Sequence, residues 1–139
     1  MDYQISKVKK FRDHRGDLIV FLAAKDLSAR RRVFGQIYFI TFDGKGVVRG
    51  NHYHKEWREW FGIVTGAVRV TLEDMRTGEK KSLVLSADHR YFNRLEIGPY
   101  VAHAFKSLTP VAALLNYGDE QWSANDRYEH CVTKGKRHA

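Results

Sequence analysis

The chain has 139 residues, 43% hydrophobic and 13% aromatic, with 24 Lys and Arg against 16 Asp and Glu and a formal charge of +8. That suits one globular domain with a sizeable core, and no stretch approaches the ~18 consecutive apolar residues of a membrane-spanning helix. The charge favours an anionic partner, but it gathers at Lys7 to Arg15, Arg30-Arg31-Arg32 and Lys134 to His138 without helix-turn-helix or zinc-finger spacing, which argues against nucleic acid.

From the start of the chain, Met1 to Lys7 holds no apolar run of the ~7–15 residues that a secretory signal needs. Cys131 is the only cysteine, so no internal disulfide forms. Both features predict a cytoplasmic protein. Arg15-Gly16-Asp17 marks a turn before a first strand over Leu18 to Leu22. Further β-branched and aromatic runs predict strands at Gln36 to Phe42, Trp60 to Val64, Ala67 to Glu73, Ser82 to Leu85, Arg94 to Ile97 and Val111 to Tyr117. In Ala67 to Glu73 the valines and leucine alternate with polar residues, the period of a half-buried strand. Asp43 to Gly46, Thr77-Gly78-Glu79 and Gly98-Pro99 punctuate the runs, and only Ser123 to Glu129 invites a short helix. The pattern is that of an all-β sandwich or barrel, a single domain over residues 1–133 with a disordered basic tail over 134–139.

His52 and His54 are two apart, so on a strand both point to one face while Tyr53 points away. Glu59 follows, and His103 lies about fifty residues on, after Gly98-Pro99. Three imidazoles and a carboxylate are ligand types for Zn, Fe, Mn or Ni. Two facing histidines also move protons near neutral pH without a metal. For Glu59 an ion pair with Arg58, Arg69 or Lys55 stands as the alternative to metal ligation.

Gly46, His52, His54, Glu59 and Gly66 reproduce the spacing of the first cupin motif, and Gly98 to His103 is a looser match to the second. The chain therefore resembles the cupins, which implies a jelly-roll β-barrel. Asp13-His14-Arg15-Gly16-Asp17-Leu18 and Val47 to Lys55 resemble the branch acting on nucleotide-linked keto-sugars: 3,5-epimerases, 3,4-ketoisomerases, and the metal-binding C-terminal cupin domains of capsular-sugar reductase/epimerases. The ketoisomerases generally work without a metal and have no ligand-type Glu at the place of Glu59. The 3,5-epimerases take a tyrosine acid from a stretch that corresponds here to Gln121-Trp122-Ser123-Ala124, which has no phenol. Tyr117 and Tyr128 are the nearby phenols that can stand in, or are otherwise structural.

The resemblance implies an isomerase or epimerase of a nucleotide-linked, dTDP-type 4-keto-6-deoxy sugar in cell-surface polysaccharide biosynthesis. His52 would take the proton beside the ketone, with His54 relaying it or stabilising the enolate. Arg49, with Lys55, Arg58 or Arg69, would hold the diphosphate, and His103 would face the substrate or join His52, His54 and Glu59 around a divalent metal. A homodimer is expected, because partner pairing covers exposed strand edges. A non-catalytic sugar- or metal-binding module and a metal-dependent dioxygenase are the competing readings.

Overall fold

Inward-facing side chains of two sheets build this fold, and the computed structural model describes residues 1–120 and 124–135. The strands are β1 (Tyr3–Val8), β2 (Phe11–Asp13), β3 (Gly16–Leu18), β4 (Gln36–Asp43), β5 (Val48–Tyr53), β6 (Glu59–Thr65), β7 (Ala67–Asp74), β8 (Lys80–Ser86), β9 (Phe92–Ile97), β10 (Val101–Ser107), β11 (Val111–Gly118) and β12 (Tyr128–Glu129). Two five-stranded sheets, ordered β1-β9-β6-β11-β4 and β12-β5-β10-β7-β8, form the jelly roll, and β2-β3 is a separate hairpin. Every pairing is antiparallel.

The interior is supplied by Phe61, Ile63, Leu95, Ile97 and Leu114 from the first sheet and by Val68, Val70, Leu72, Leu85 and Phe105 from the second. Each contributes about 1.5–3 kcal/mol by leaving water. Toward one end of the barrel the inward positions turn polar: Glu59 on β6, His103 on β10 and Asn116 on β11 are all buried.

Two expected elements differ. Of the strand expected over Leu18 to Leu22 only Leu18 is in a strand, as the end of β3, and Ile19 to Leu22 runs as irregular chain held over the first sheet, where Phe21 meets the Phe92 ring edge-on at 5.9 Å and its carbonyl accepts from Arg94. Of the short helix expected over Ser123 to Glu129, only a 3-10 turn (Ala124–Asp126) forms among the described residues, and it leads into β12, whose Tyr128 and Glu129 pair with Tyr53 and His52; Ser123 lies outside the described residues. Gly135 packs on Val48. Of the basic tail, residues 136–139 lie outside the described residues.

Candidate active site

A β-bulge aims the first histidine. Along β5 and β10, Val48, Arg49 and Gly50 face Lys106, Phe105 and Ala104, but His103 faces His52 instead of Asn51. Asn51 is the extra residue, and Gly50 and Asn51 both have positive φ, 101° and 58°. A bulge reverses the alternation of side chains beyond it. Arg49 and His52, three residues apart, therefore both face inward, where a regular strand would set them on opposite faces. Released from the ladder, the Asn51 side chain clamps the backbone of Val132 and Thr133.

His52, His54 and His103 converge, with potential ligand atoms within 4.8 Å of one another. Their ring centroids are 5.1 Å (52–54), 4.9 Å (52–103) and 6.1 Å (54–103) apart. Glu59 Oε2 lies 3.6 Å from His54 Nε2 and 3.3 Å from His103 Nε2, so its partners are imidazoles and not Arg58, Arg69 or Lys55. The Nδ1 atoms of His54 and His103 each meet a backbone carbonyl, of Asp126 and Val101 respectively. A carbonyl only accepts, so both Nδ1 atoms carry hydrogen and both rings turn Nε2 toward the carboxylate.

That arrangement calls for a positive charge. His52 Nδ1, His103 Nε2 and Glu59 Oε2 are buried without a hydrogen-bond partner, and facing acceptors repel unless a proton or cation sits between them. Burial would raise the Glu59 pKa, but the facing His103, His54 and His52 outweigh it and hold the carboxyl below its ordinary value. His52 is pushed down to about 3, first by burial and then by repulsion from His103 and His54. It rests in the proton-accepting form. The three imidazoles are also placed to hold a divalent metal, and Glu59 Oε2 stands beside two of them at 3.3 and 3.6 Å.

The cluster lines a cavity of about 460 Å³ with Tyr38, Arg49, Trp57, Phe61, Asn116 and Arg127 also in its wall. Arg49 is exposed and has no ion-pair partner among the described residues. The other expected cations lie elsewhere. Arg58 pairs with Glu96 at 2.8 Å and with Asp2. Arg69 stands on the outer face of β7 near Ser82, and Lys55 lies over the Tyr128 ring at 4.2 Å. Tyr117 is also placed away from the cavity, since its hydroxyl donates to the Val33 carbonyl. Tyr128 stacks on Tyr53, on the side of β5 opposite His52. Gln121 to Ser123, the epimerase-tyrosine stretch, lie outside the described residues.

The structure adds groups that spacing did not reveal. Tyr38 brings a phenol into the cavity, its pKa raised by burial and by the charge of Glu59, so it remains a proton donor. Trp57 stacks on His54 at 4.7 Å. Asp126 and Arg127 arrive from the turn before β12.

A family model described as FdtA: WxcM-like, C-terminal, matches residues 1–133. A search of curated proteins gives no match. Among solved structures, a 3,4-ketoisomerase from Helicobacter canadensis is 28% identical, with TM-score 0.75 over 91% of this chain and 90% of that one. The sugar 3,4-ketoisomerase QdtA from Thermoanaerobacterium thermosaccharolyticum, in complex with TDP, is 25% identical, with TM-score 0.76 over 91% and 86%. The dTDP-4-dehydrorhamnose 3,5-epimerase of Bacillus anthracis, with TDP and PPi bound, shares the fold at 23% identity, with TM-score 0.80 over 92% and 78%.

Proposed function

The chain belongs to the FdtA family of WxcM-like C-terminal domains, and on that premise we propose that it isomerises a dTDP-linked 4-keto-6-deoxy sugar by moving protons between C3 and C4. The carrying observation is a neutral, half-buried His52 beside two further imidazoles and a carboxylate, in a cavity with Arg49 and Arg127 in its wall. The likeness to ketoisomerases at 25–28% identity favours ketone migration over 3,5-epimerisation.

The 4-ketone acidifies the hydrogen on C3. His52 removes that proton, and the electron pair left behind forms the C3–C4 double bond of an enediolate with charge on O4. Tyr38, still protonated, donates a hydrogen bond to that oxygen, a contact that strengthens as charge develops. The proton on O3 passes to O4, the imidazolium, its proton exchanged with solvent, protonates C4, and the carbonyl now stands at C3. No oxidant enters the balance. Glu59 favours the imidazolium form during the transfer. Incubation with dTDP-4-keto-6-deoxyglucose and carbon NMR of the product tests this: a ketone resonance at C3 is expected, whereas recovery of unchanged sugar would leave a binding module. Oxygen uptake during turnover would favour the dioxygenase reading.

The diphosphate is assigned to Arg49 and Arg127. Charge-assisted hydrogen bonds contribute about 1.5–3 kcal/mol, so Arg49→Gln should weaken dTDP binding ~10–100-fold in calorimetry with thermal stability unchanged. Equal affinity would remove Arg49 from the diphosphate site.

A divalent metal is the second reading, held by His52, His54, Glu59 and His103, where it would supply Lewis-acid stabilisation of the oxyanion. Elemental analysis of dialysed protein is expected to find the ion retained, and Glu59→Gln to lower its affinity at least ~10-fold. Metal-stripped protein with full turnover would reduce the four residues to a proton relay. Pairing of two copies is supported by the edge of β4, open among the described residues, where Ile37 and Phe39 are 56% and 74% exposed and Phe34, just before the strand, is 82% exposed. No helix among the described residues is long and apolar enough to cross a membrane; cytoplasmic residence and a role in polysaccharide biosynthesis are part of the same proposal.

A further inference from the structure

Asp126 is buried, and its carboxylate collects three successive backbone N–H groups: Lys55 to Oδ1 at 2.7 Å, and Glu56 and Trp57 to Oδ2 at 3.0 and 3.3 Å. These residues immediately follow His54 and form the bend between β5 and β6. The main-chain carbonyl of the same Asp126 accepts the Nδ1–H of His54. One residue, seventy-two positions downstream, thus fixes both the loop that carries the ring and the ring itself.

A simple loop closure does not require this. Lys55 and Glu56 are exposed residues, where a bend is commonly closed without a buried carboxylate. What the carboxylate adds is placement: with the three N–H groups gathered on it, the turn before β12 sits where its carbonyl meets Nδ1. Trp57, held by the same carboxylate, closes the ring face. His54 is left with its Nε2 directed at Glu59 and the cavity.

We infer that Asp126 is a positioning residue for His54, holding the imidazole in its Nδ1–H tautomer and fixing the loop beneath it. Its effect on turnover rests on the isomerase reading; its effect on the ring does not. Partners that orient a working histidine typically contribute 10–100-fold to activity.

The test uses the full chain with Asp126→Ala and Asp126→Asn. Asp126→Ala should lower kcat ~10–100-fold with KM within ~3-fold. Asp126→Asn should recover part of the loss, because one acceptor oxygen remains, and it serves in place of the alanine variant should that fail to fold. Long-range proton–nitrogen NMR of the histidine rings should show the Nδ1–H tautomer at His54 in the wild type and its loss or mixing in Asp126→Ala. A folded Asp126→Ala protein that keeps the Nδ1–H signature would overturn the inference. So would a fall in kcat that only tracks the folded fraction. If the wild type converts no sugar, the ring spectra still decide the role of Asp126, and the isomerase reading falls alone.

Discussion

Replacing His52 with Asn should slow exchange of solvent deuterium into the sugar by at least ~10²-fold while dTDP binding and the fold persist. Among the described residues His52 is the imidazole held most firmly in the proton-accepting form, and the bulge at Asn51 directs it into the cavity opposite His103. Asn fills similar space and keeps a polar atom there, but it accepts no proton at neutral pH. Nucleotide binding is assigned to Arg49 and Arg127 and should change less than ~3-fold, which separates a chemical defect from a binding defect. Exchange within ~3-fold of the wild type would transfer the base assignment to His54, the next imidazole along the strand.

Gly50→Ala should affect both stability and chemistry. A Cβ at this position would lie 2.7 Å from the His103 carbonyl oxygen and 3.1 Å from the Ala104 Cα, both backbone atoms unable to swing aside, and φ is 101°. Relief requires either strain or loss of the bulge, and a one-residue slip would turn His52 to the outer face. A loss of about 2–4 kcal/mol in urea unfolding is expected, together with at least ~10-fold lower turnover in the protein that remains folded. Gly78→Ala is the control: its φ is also positive, at 76°, but nothing lies within 4 Å of the added carbon, so it should cost only about 1 kcal/mol. Equal stability losses in the two variants would mean that the close approach of β10 plays no part.

The alternation in Ala67 to Glu73 was legible because both faces of β7 are simple: Val68, Val70 and Leu72 are fully buried, and Arg69 is exposed. β10 was harder to see. Val101-Ala102-His103-Ala104-Phe105 is buried on both faces, so it shows no alternation of polarity, and it appeared only as the segment carrying His103. β1 escaped for the opposite reason, because Lys7 and Ser6 interrupt a short edge strand. The spacing of His52, His54, Glu59 and His103 was visible from local motifs, and the fold brings the four together. Which cations share their cavity was not, because pairing partners lie far away in sequence: Asp2 and Glu96 draw Arg58 aside. Arg49, expected there from its place beside the motif, does line the cavity, but the bulge that sets His52 on the same face has only a weak signal in sequence. Tyr38 was legible only as a strand residue, whereas Tyr117, on the adjacent strand, faces the other way to bond Val33. Asp126 and Arg127 follow a turn that carries no motif, and their roles depend on contact with the loop after His54.

The central claim is proton abstraction beside the ketone by groups in this cavity, and it is tested most directly by proton NMR of dTDP-4-keto-6-deoxyglucose incubated with the wild-type protein in deuterium oxide. The C3 proton signal is expected to disappear as the ketone migrates to C3, with deuterium entering at C4. A sugar that binds, as shown by line broadening or calorimetry, yet keeps its C3 proton undiminished over many hours would contradict it.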